Sequence, residues 1–291
     1  MPVQVQAFFD EPTHTVSYLV IDPASREAAI IDPVLDYDHR SGRVRVESAG
    51  RILEAAQRQA ARVVWILETH AHADHLSAAP WLKQQTGAQV GIGHHICDVQ
   101  AIFRQVFNLD DVSGDGSEFD RLFRDGDTLS IGEVPIEVLH TPGHTPACVS
   151  YRVGADRVFI GDTLFMPDYG TARADFPGGD AVVLYRSIQR LLSLPPQTRL
   201  YLCHDYKAPG RTEYAWETSV AEQRERNVHV RQGVSEAEFV AMRRERDATL
   251  AAPALLLPAI QVNIRAGELP RAEANGTRYL KIPLRLPAGL A

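Results

Sequence analysis

The chain contains little cysteine, and its cysteines are not spaced to form a disulfide framework or to hold a metal. Its 291 residues include three cysteines, Cys97, Cys148 and Cys203, with no C-x-x-C pair among them. Disulfide-stapled proteins and thiolate zinc sites depend on denser or paired cysteines. We therefore expect all three to be small buried side chains, and any metal site to use other ligands.

Runs of basic residues and long apolar stretches are also missing. Lys and Arg number 30 against 37 Asp and Glu, which gives a net charge of −7, and no run of them could neutralise a line of phosphates. The start of the chain lacks the basic segment and apolar core of a signal peptide. The most apolar later stretch, 251–260, is too short to span a bilayer and is interrupted by Pro253 and Pro258. The sequence predicts a cytoplasmic protein that binds neither nucleic acid nor membrane.

The composition is that of a globular protein in which strands and helices alternate. Hydrophobic residues make up 45% and charged residues 23%, so a chain of this length can bury a large core. A hairpin at 16–21 and 28–31, a helix at 47–60 and an apolar strand at 63–67 imply a β-α-β unit. Further helices are predicted at 76–87, 96–107, 181–192, 217–230 and 235–250, and further strands at 89–92, 128–131, 136–139, 149–153, 158–160 and 199–203.

This order of elements favours an α/β fold with two packed mixed β-sheets flanked by helices, an αββα sandwich. We expect a catalytic domain at 1–250. The remaining segment, 251–291, is punctuated by prolines and is predicted to be extended and packed on the same domain.

Side chains that bind metals are concentrated directly after the predicted strand at 63–67. His70, His72, Asp74 and His75 lie within six residues of one another, a spacing that a turn at a strand end can fold around one or two ions. A lone histidine is usually structural, but such a cluster at a strand-to-helix junction indicates a metal site.

Three later segments each bring one more candidate ligand to the end of a predicted strand, namely His144, Asp162 and His204. Ligands commonly bind beyond the carboxyl ends of strands in open sheets. Gly143 and Gly161 precede two of these residues and allow a tight turn that aims the side chain inward. Each residue alone is better explained as a cap or a turn residue. Together with the first cluster they indicate one shared site.

These motifs resemble those of a known family. The segments THAHADH (69–75), TPGHT (141–145), FIGDTLF (159–165) and CHDY (203–206) are similar to the successive metal motifs of the metallo-β-lactamase superfamily. Within it the chain resembles the persulfide dioxygenases, also called sulfur dioxygenases, and more distantly glyoxalase II. The segments that carry this finer resemblance are 31–42, 171–180 and 204–206.

The resemblance implies the metallo-β-lactamase sandwich and one Fe(II) per chain, held by His70, His144 and Asp162 as the catalytic and metal-binding residues. Two imidazoles and one carboxylate on one face of a metal leave its other positions open. The implied reaction oxidises the sulfane sulfur of glutathione persulfide with O₂ and water, giving sulfite and glutathione. Iron is implied because zinc has no accessible redox change.

The remaining candidate ligands, His72, Asp74, His75 and His204, leave an alternative open. With Asp162 as a bridge they complete the dinuclear zinc site of a glyoxalase II-like thioester hydrolase. The resemblance favours treating them as outer hydrogen-bonding partners of a mononuclear site. We expect the β-like segment after Ala251 to distinguish this chain from glyoxalase II, which has a helical lobe there. A third reading, a thiol-sensing module without turnover, explains the open metal triad less well.

Glutathione carries two carboxylates, so a basic rim is expected beside the metal. Arg173 is favoured because it lies in a segment that resembles the family, and Tyr206 follows a candidate ligand closely. The substrate-binding candidates are Arg173, Tyr206, Lys207, Arg211, Arg226 and Asn227.

The sequence leaves two further questions open. Glutathione as the persulfide carrier is implied only by the resemblance, and another small thiol would also fit. The oligomeric state is not determined by the sequence, although a homodimer is the commonest closed assembly.

Overall fold

The computed structural model describes residues 2–287. The strands are β1 (Gln4–Asp10), β2 (Thr15–Ile21), β3 (Glu27–Ile31), β4 (Val34–Asp38), β5 (Arg43–Arg45), β6 (Arg62–Leu67), β7 (Leu76–Ser77), β8 (Gln89–Gly93), β9 (Arg121–Phe123), β10 (Thr128–Ile131), β11 (Val134–His140), β12 (Val149–Val153), β13 (Arg157–Phe159), β14 (Arg199–Tyr201) and β15 (Glu217–Ser219). The helices are α1 (Glu47–Arg58), α2 (Ala79–Thr86), α3 (Ile96–Phe107), α4 (Ala181–Leu192), α5 (Val220–Arg226), α6 (Glu236–Asp247) and α7 (Leu256–Asn263). No helix among the described residues is long and apolar enough to cross a membrane.

The strands form two six-stranded mixed sheets. The first sheet has the order β1-β2-β3-β6-β8-β9, the second β10-β11-β12-β13-β14-β15, and β5-β4-β7 form a small third sheet. In the first sheet β3, β6, β8 and β9 run parallel, while β1, β2 and β3 pair antiparallel. In the second sheet the parallel pair is β13 and β14. Parallel strands direct their carboxyl ends to one edge, which is where the candidate ligands follow.

Burial explains how the layers stack. Alternate residues of β2 point to opposite faces: Val16, Tyr18 and Val20 join the core between the two sheets, while Leu19 and Ile21 join the core under α1, α2, α3 and α7. A third cluster packs α4, α5 and α6 on the outer face of the second sheet. The structure confirms the predicted αββα sandwich.

Several predicted elements were placed differently in the structure. Residues 217–230 were predicted as one helix, but 217–219 pair with β14 before α5 begins. Similarly, 76–77 pair with β4 before α2. The helices at 96–107 and 181–192 match their predictions, and the capping box of α6 between Ser235 and Glu238 is formed. Local patterns therefore located these twelve-residue helices more accurately than the two- and three-residue strands β7 and β15.

The segment after residue 251 was predicted to be extended and packed on the same domain, and the extended conformation was wrong for Leu256–Asn263. Leu256–Asn263 form α7, with Ala259, Ile260 and Val262 buried against the core under the first sheet. Pro258 lies in the first turn of α7, where its missing N–H has no intrahelical partner to lose. The prolines therefore do not exclude a helix, and the contrast drawn with a helical lobe in glyoxalase II loses part of its basis.

Gly143 allows the loop that carries His144 to approach α4 closely. Its φ is +128°, and a Cβ on this residue would overlap the backbone N and Cα of Leu184. We expect Gly143→Ala to cost about 1–3 kcal/mol in strained backbone, and about 1–3 kcal/mol more from overpacking. Urea denaturation measures the loss. Gly126→Ala is the matched control because Gly126 has φ +80° and open space around its Cβ position; equal losses in both variants would contradict the clash.

Candidate metal centre

The candidate ligands gather at one end of the two sheets. They follow β6 (His70, His72, Asp74 and His75), β11 (His144), β13 (Asp162) and β14 (His204). All seven have side chains that are buried or nearly so. The loop after β6 has neither helix nor strand from 68 to 75, so its shape depends on hydrogen bonds to other elements.

His70, His144 and Asp162 form one compact set of ligand atoms. Asp162 Oδ2 lies 3.6 Å from His144 Nε2 and 4.0 Å from His70 Nε2, and the three ligand atoms all lie within 4.8 Å of one another. These separations are too long for hydrogen bonds. Atoms that share one ion lie about 3–3.5 Å apart, since each ligand atom lies about 2 Å from the metal, so a bound ion would draw these three atoms slightly closer together. The donor set therefore fits a metal ion.

The second ring nitrogen of both histidines is held by a hydrogen bond. His144 Nδ1 lies 2.8 Å from the carbonyl oxygen of Arg173, and His70 Nδ1 lies 3.0 Å from Thr69 Oγ1, which itself donates to Asp32. In both rings Nδ1 is the donor and Nε2 keeps its lone pair for a metal. Burial, aided by the neighbouring histidines, holds the pKa of His70 well below its ordinary value, so this ring is neutral.

Helix α6 holds the segment that orients His144. Arg243 and Asp247 form a buried ion pair with N–O distance 2.7 Å. Arg243 donates to the carbonyl of Thr171 at 3.1 Å, and Asp247 accepts from the N–H of Ala174 at 2.9 Å. The carbonyl of Arg173 lies between these two contacts, so α6 sets the position of the atom that binds His144.

His72 is held by two buried carboxylates. Its Nε2 lies 3.0 Å from Asp32 Oδ1 and 3.6 Å from Glu68 Oε2. Burial disfavours the charged ring, but Asp32 and Glu68 outweigh it and keep the pKa of His72 well above its ordinary value. The carboxylate of Asp32 also accepts from Thr69 N at 2.7 Å and Thr69 Oγ1 at 2.9 Å. One carboxylate thus fixes the start of the loop and the orientation of His72.

Asp74, His75 and His204 lie beside the compact set. With His72 they belong to two further groups of ligand atoms within 4.8 Å, which are His72, Asp74 and His75 and also His72, Cys203 and His204. His204 Nε2 is 3.0 Å from Asp74 Oδ2 and 3.3 Å from Asp162 Oδ1. His75 Nε2, His204 Nε2 and Asp162 Oδ1 are buried without a hydrogen-bond partner, which suits atoms that face an ion. Yet no group of ligand atoms within 4.8 Å among the described residues contains Asp74, His75 and His204 together.

A cavity of about 900 Å³ opens above these residues. Its floor includes His75, His144 and Asp162, and its walls carry aromatic rings. The Tyr206 ring stacks on that of His204, with centroids 5.7 Å apart and an angle of 16°. Burial, then the nearby carboxylates, raise the pKa of Tyr206 well above its ordinary value, so its hydroxyl keeps its proton. The aromatic residues of the walls are Tyr37, Phe165, Tyr169, Phe176 and Tyr206.

The structure brings two of the predicted substrate-binding residues to the cavity, Arg173 and Tyr206. Arg173 is bonded to Asp175 at 2.6 and 2.7 Å and donates to the carbonyl of Ala251 at 2.7 Å. Its guanidinium is therefore already engaged by the protein.

The other four predicted substrate-binding residues do not line the cavity. The Lys207 ammonium lies over the ring of Tyr214 at 4.0 Å. Arg211 is held by Asp205 and Asp168. Arg226 is exposed beside Glu225. Asn227 is buried and donates to the carbonyl of Gly170 at 3.0 Å. Sequence proximity to His204 did not predict these contacts, because the chain turns away from the cavity after Tyr206.

Sequence reasoning missed the arginines that do line the cavity. Arg40, Arg43 and Arg45 lie in the β4–β5 hairpin and Arg246 lies on α6. The three hairpin arginines occur within six residues, in or next to the segment 31–42 that resembles the family. This clustering could have indicated that they line the site. The sequence contains no comparable indication for Arg246, because this residue belongs to a charged helix that carries other arginines.

Comparison with known proteins gives a family and several relatives. A family model described as the metallo-beta-lactamase superfamily matches residues 10–204. A probable metallo-hydrolase of Burkholderia pseudomallei (strain 1710b) is 56% identical, over 96% of this chain and 98% of that protein. Glyoxylase B2 of Dictyostelium discoideum is 46% identical, over 97% of each chain.

Similarity to persulfide dioxygenases is lower in sequence but extends over most of the fold. The mitochondrial persulfide dioxygenase ETHE1 of Bos taurus is 29% identical, over 91% of this chain and 89% of that protein. The crystal structure of ETHE1 from Myxococcus xanthus has a TM-score of 0.73 and 32% identity, and covers 91% of this chain and 100% of that chain.

The contacts of Asp32 predict a large effect of removing its charge. Asp32→Asn leaves the buried His72 with only its longer contact to Glu68, so we expect the free energy of unfolding of the metal-free protein to fall by about 3–5 kcal/mol. Asp98→Asn is the matched control, because Asp98 pairs with His95 at 2.7 Å in an exposed position and should cost at most about 1 kcal/mol. Chemical denaturation of both variants measures the difference. Similar losses would show that burial adds nothing to the Asp32–His72 pair.

Proposed function

The chain belongs to the metallo-beta-lactamase superfamily, and we propose that within it the protein is a persulfide dioxygenase with one Fe(II) per chain. The proposed reaction converts one glutathione persulfide, one O₂ and one water into glutathione, sulfite and two protons. The S–S bond breaks, the outer sulfur is oxidised, and O₂ is reduced. The family match and the clustered ligands support the broader assignment to an enzyme of this superfamily with a metal centre.

The observation that carries the proposal is that His70, His144 and Asp162 form one set of ligand atoms within 4.8 Å of one another. His72, Asp74 and His75 form another such group, but Nε2 of His72 is held by Asp32, and Asp74, His75 and His204 do not come together in one group. Two histidines and one carboxylate are the donor set of non-haem iron oxygenases, which leaves positions for a substrate and O₂. Iron, when bound, supplies the redox change that O₂ requires and zinc lacks.

The protein's own residues would orient the substrate and exclude water. The aromatic walls of the cavity cover the apolar part of a bound thiol and limit access of bulk solvent. The Tyr206 hydroxyl keeps its proton and lines the cavity, so it would donate a hydrogen bond to an anionic sulfur.

Arginines at the cavity mouth suit the carboxylates of the carrier. Arg45 pairs with Glu47 and Arg173 with Asp175, but the guanidinium groups of Arg40, Arg43 and Arg246 have no ion-pair partner among the described residues. A planar guanidinium binds a carboxylate through two parallel hydrogen bonds. We therefore assign the glutathione carboxylates to these three arginines, in place of the residues expected from sequence.

A second candidate function is a dinuclear zinc thioester hydrolase. It is favoured by the contacts of His204 with Asp74 and Asp162 at 3.0 and 3.3 Å. The relatives named as a probable metallo-hydrolase and as glyoxylase B2 also have higher identities than the persulfide dioxygenases.

Metal analysis separates the two functions. For protein purified without added metal we expect about one iron per chain, with O₂ uptake that depends on glutathione persulfide. His144→Ala should lose the iron, because it removes one of three ligands, while the matched variant His204→Ala should keep it. Two zinc ions per chain, lost in both variants, together with hydrolysis of S-lactoylglutathione, would instead establish the hydrolase.

The arginine assignment predicts a change in substrate binding rather than in turnover. Arg43→Met removes one charge-assisted contact worth about 1.5–3 kcal/mol, so the KM for glutathione persulfide should rise about 10-fold or more with kcat little changed. The matched control is Arg58→Met, because Arg58 is an exposed arginine of α1 that pairs with Glu54 outside the cavity. Steady-state O₂ uptake gives both constants; an unchanged KM in Arg43→Met would rule the assignment out.

A further inference from the structure

One side chain from the C-terminal part of the chain, that of Asn263, forms hydrogen bonds with the loop that carries the first metal motif (69–75). Asn263, the last residue of α7, has 4% of its surface exposed. Its Nδ2 donates to the carbonyls of His72 at 2.8 Å and His75 at 2.7 Å, and its Oδ1 accepts from the N–H of Ser77 at 2.8 Å. These three bonds use both donors of the amide and one acceptor.

The loop depends on these bonds because it makes no regular structure of its own. Buried backbone groups need partners, and each one left unpaired costs about 1–3 kcal/mol. An asparagine supplies two donors and an acceptor in one plane. Aspartate has the same shape but only acceptors, so it would meet the carbonyls of His72 and His75 with negative charge. The amide of Asn263 is therefore chemically specific at this position.

Asn263 is itself rigidly held. Ala259, Ile260 and Val262 of α7 are buried in the core under the first sheet, and Gln100 donates to the carbonyl of Ile264 at 2.8 Å. Ser77, whose N–H Asn263 binds, donates through its hydroxyl to Glu68, a neighbour of His72. The end of the loop is thus connected to the same buried network as its start.

We propose that Asn263 is a positioning residue that holds Asp74 and His75 at the metal centre by fixing the backbone between His72 and Ser77. Asp32 fixes the loop at Thr69, and Asn263 fixes it at the other end. Both sets of hydrogen bonds are needed because the side chains of Asp74 and His75, which lie between them, line the cavity. The inference rests on the proposed metal centre, but not on which reaction that centre performs.

The test compares Asn263→Asp and Asn263→Ala with Gln261→Ala in the full-length protein. Gln261 is the matched control, because it is a buried amide of the same helix with three hydrogen bonds, to Leu257 O and to both backbone groups of Lys281. Those bonds hold the C-terminal segment around Lys281 and not the loop at 69–75. Each protein is first shown by circular dichroism to be folded at the assay temperature.

Metal binding is then measured with Co(II) as the probe, by chelator competition and by its visible absorption spectrum. Loss of outer hydrogen-bonding partners of a metal site costs about 10–100-fold in affinity, so we expect this loss and an altered spectrum in both Asn263 variants. Gln261→Ala should bind Co(II) as the wild type does. Folded Asn263 variants with wild-type affinity and spectrum would overturn the proposal, and so would equal losses in Gln261→Ala.

Failure of the proposed function gives a different result. If the wild type holds two zinc ions and hydrolyses S-lactoylglutathione, the dioxygenase assignment falls, yet the comparison of Co(II) affinities still tests Asn263. If the wild type is a dioxygenase and the Asn263 variants bind Co(II) normally, the positioning role alone falls.

Discussion

The metal centre depends on the buried carboxylate of Asp32. Asp32 follows β3 with a left-handed φ of 50°, and its backbone N–H donates to the carbonyl of Leu67 at the end of β6. Its side chain then reaches the first residues after β6 and holds Thr69 and His72. Two adjacent parallel strands are thereby joined at the edge where the ligands lie. The hydroxyl of Thr69 donates to Asp32 and accepts from Nδ1 of His70, which orients the His70 ring. The carboxylate of Asp32 therefore positions the side chains of Thr69, His70 and His72.

Local signals in the sequence were enough to predict the layers of the fold and the candidate ligands. The continuous apolar runs in β2 and β6 reflect burial, which the sequence records directly. The ligands clustered because a turn at a strand end confines them to a few positions. The three-residue strands β13 and β14 were predicted because they lie in apolar runs. Strands β7 and β15 were not predicted, because no apolar run marks them and their hydrogen bonds come from distant partners.

The substrate-binding residues also could not be predicted from local patterns in the sequence. Arg211 was a reasonable candidate by charge and by closeness to His204, yet it is held between Asp205 and Asp168. Arg40 and Arg43 come from a hairpin far earlier in the chain and Arg246 from far later. Whether an arginine is free to bind a ligand depends on which carboxylates the fold places beside it, and no pattern within one segment records that.

Support for the metal loops comes from outside the part of the chain that defines the family. The family match ends at residue 204, but Arg243 and Asp247 hold the segment beside His144, and Asn263 holds the loop of His72 and His75. A fragment cut at the matched boundaries would retain every candidate ligand, and Asp32 with them, but would lose these three side chains. The boundary of the family match is therefore not the boundary of the structural unit that holds the ligands in place.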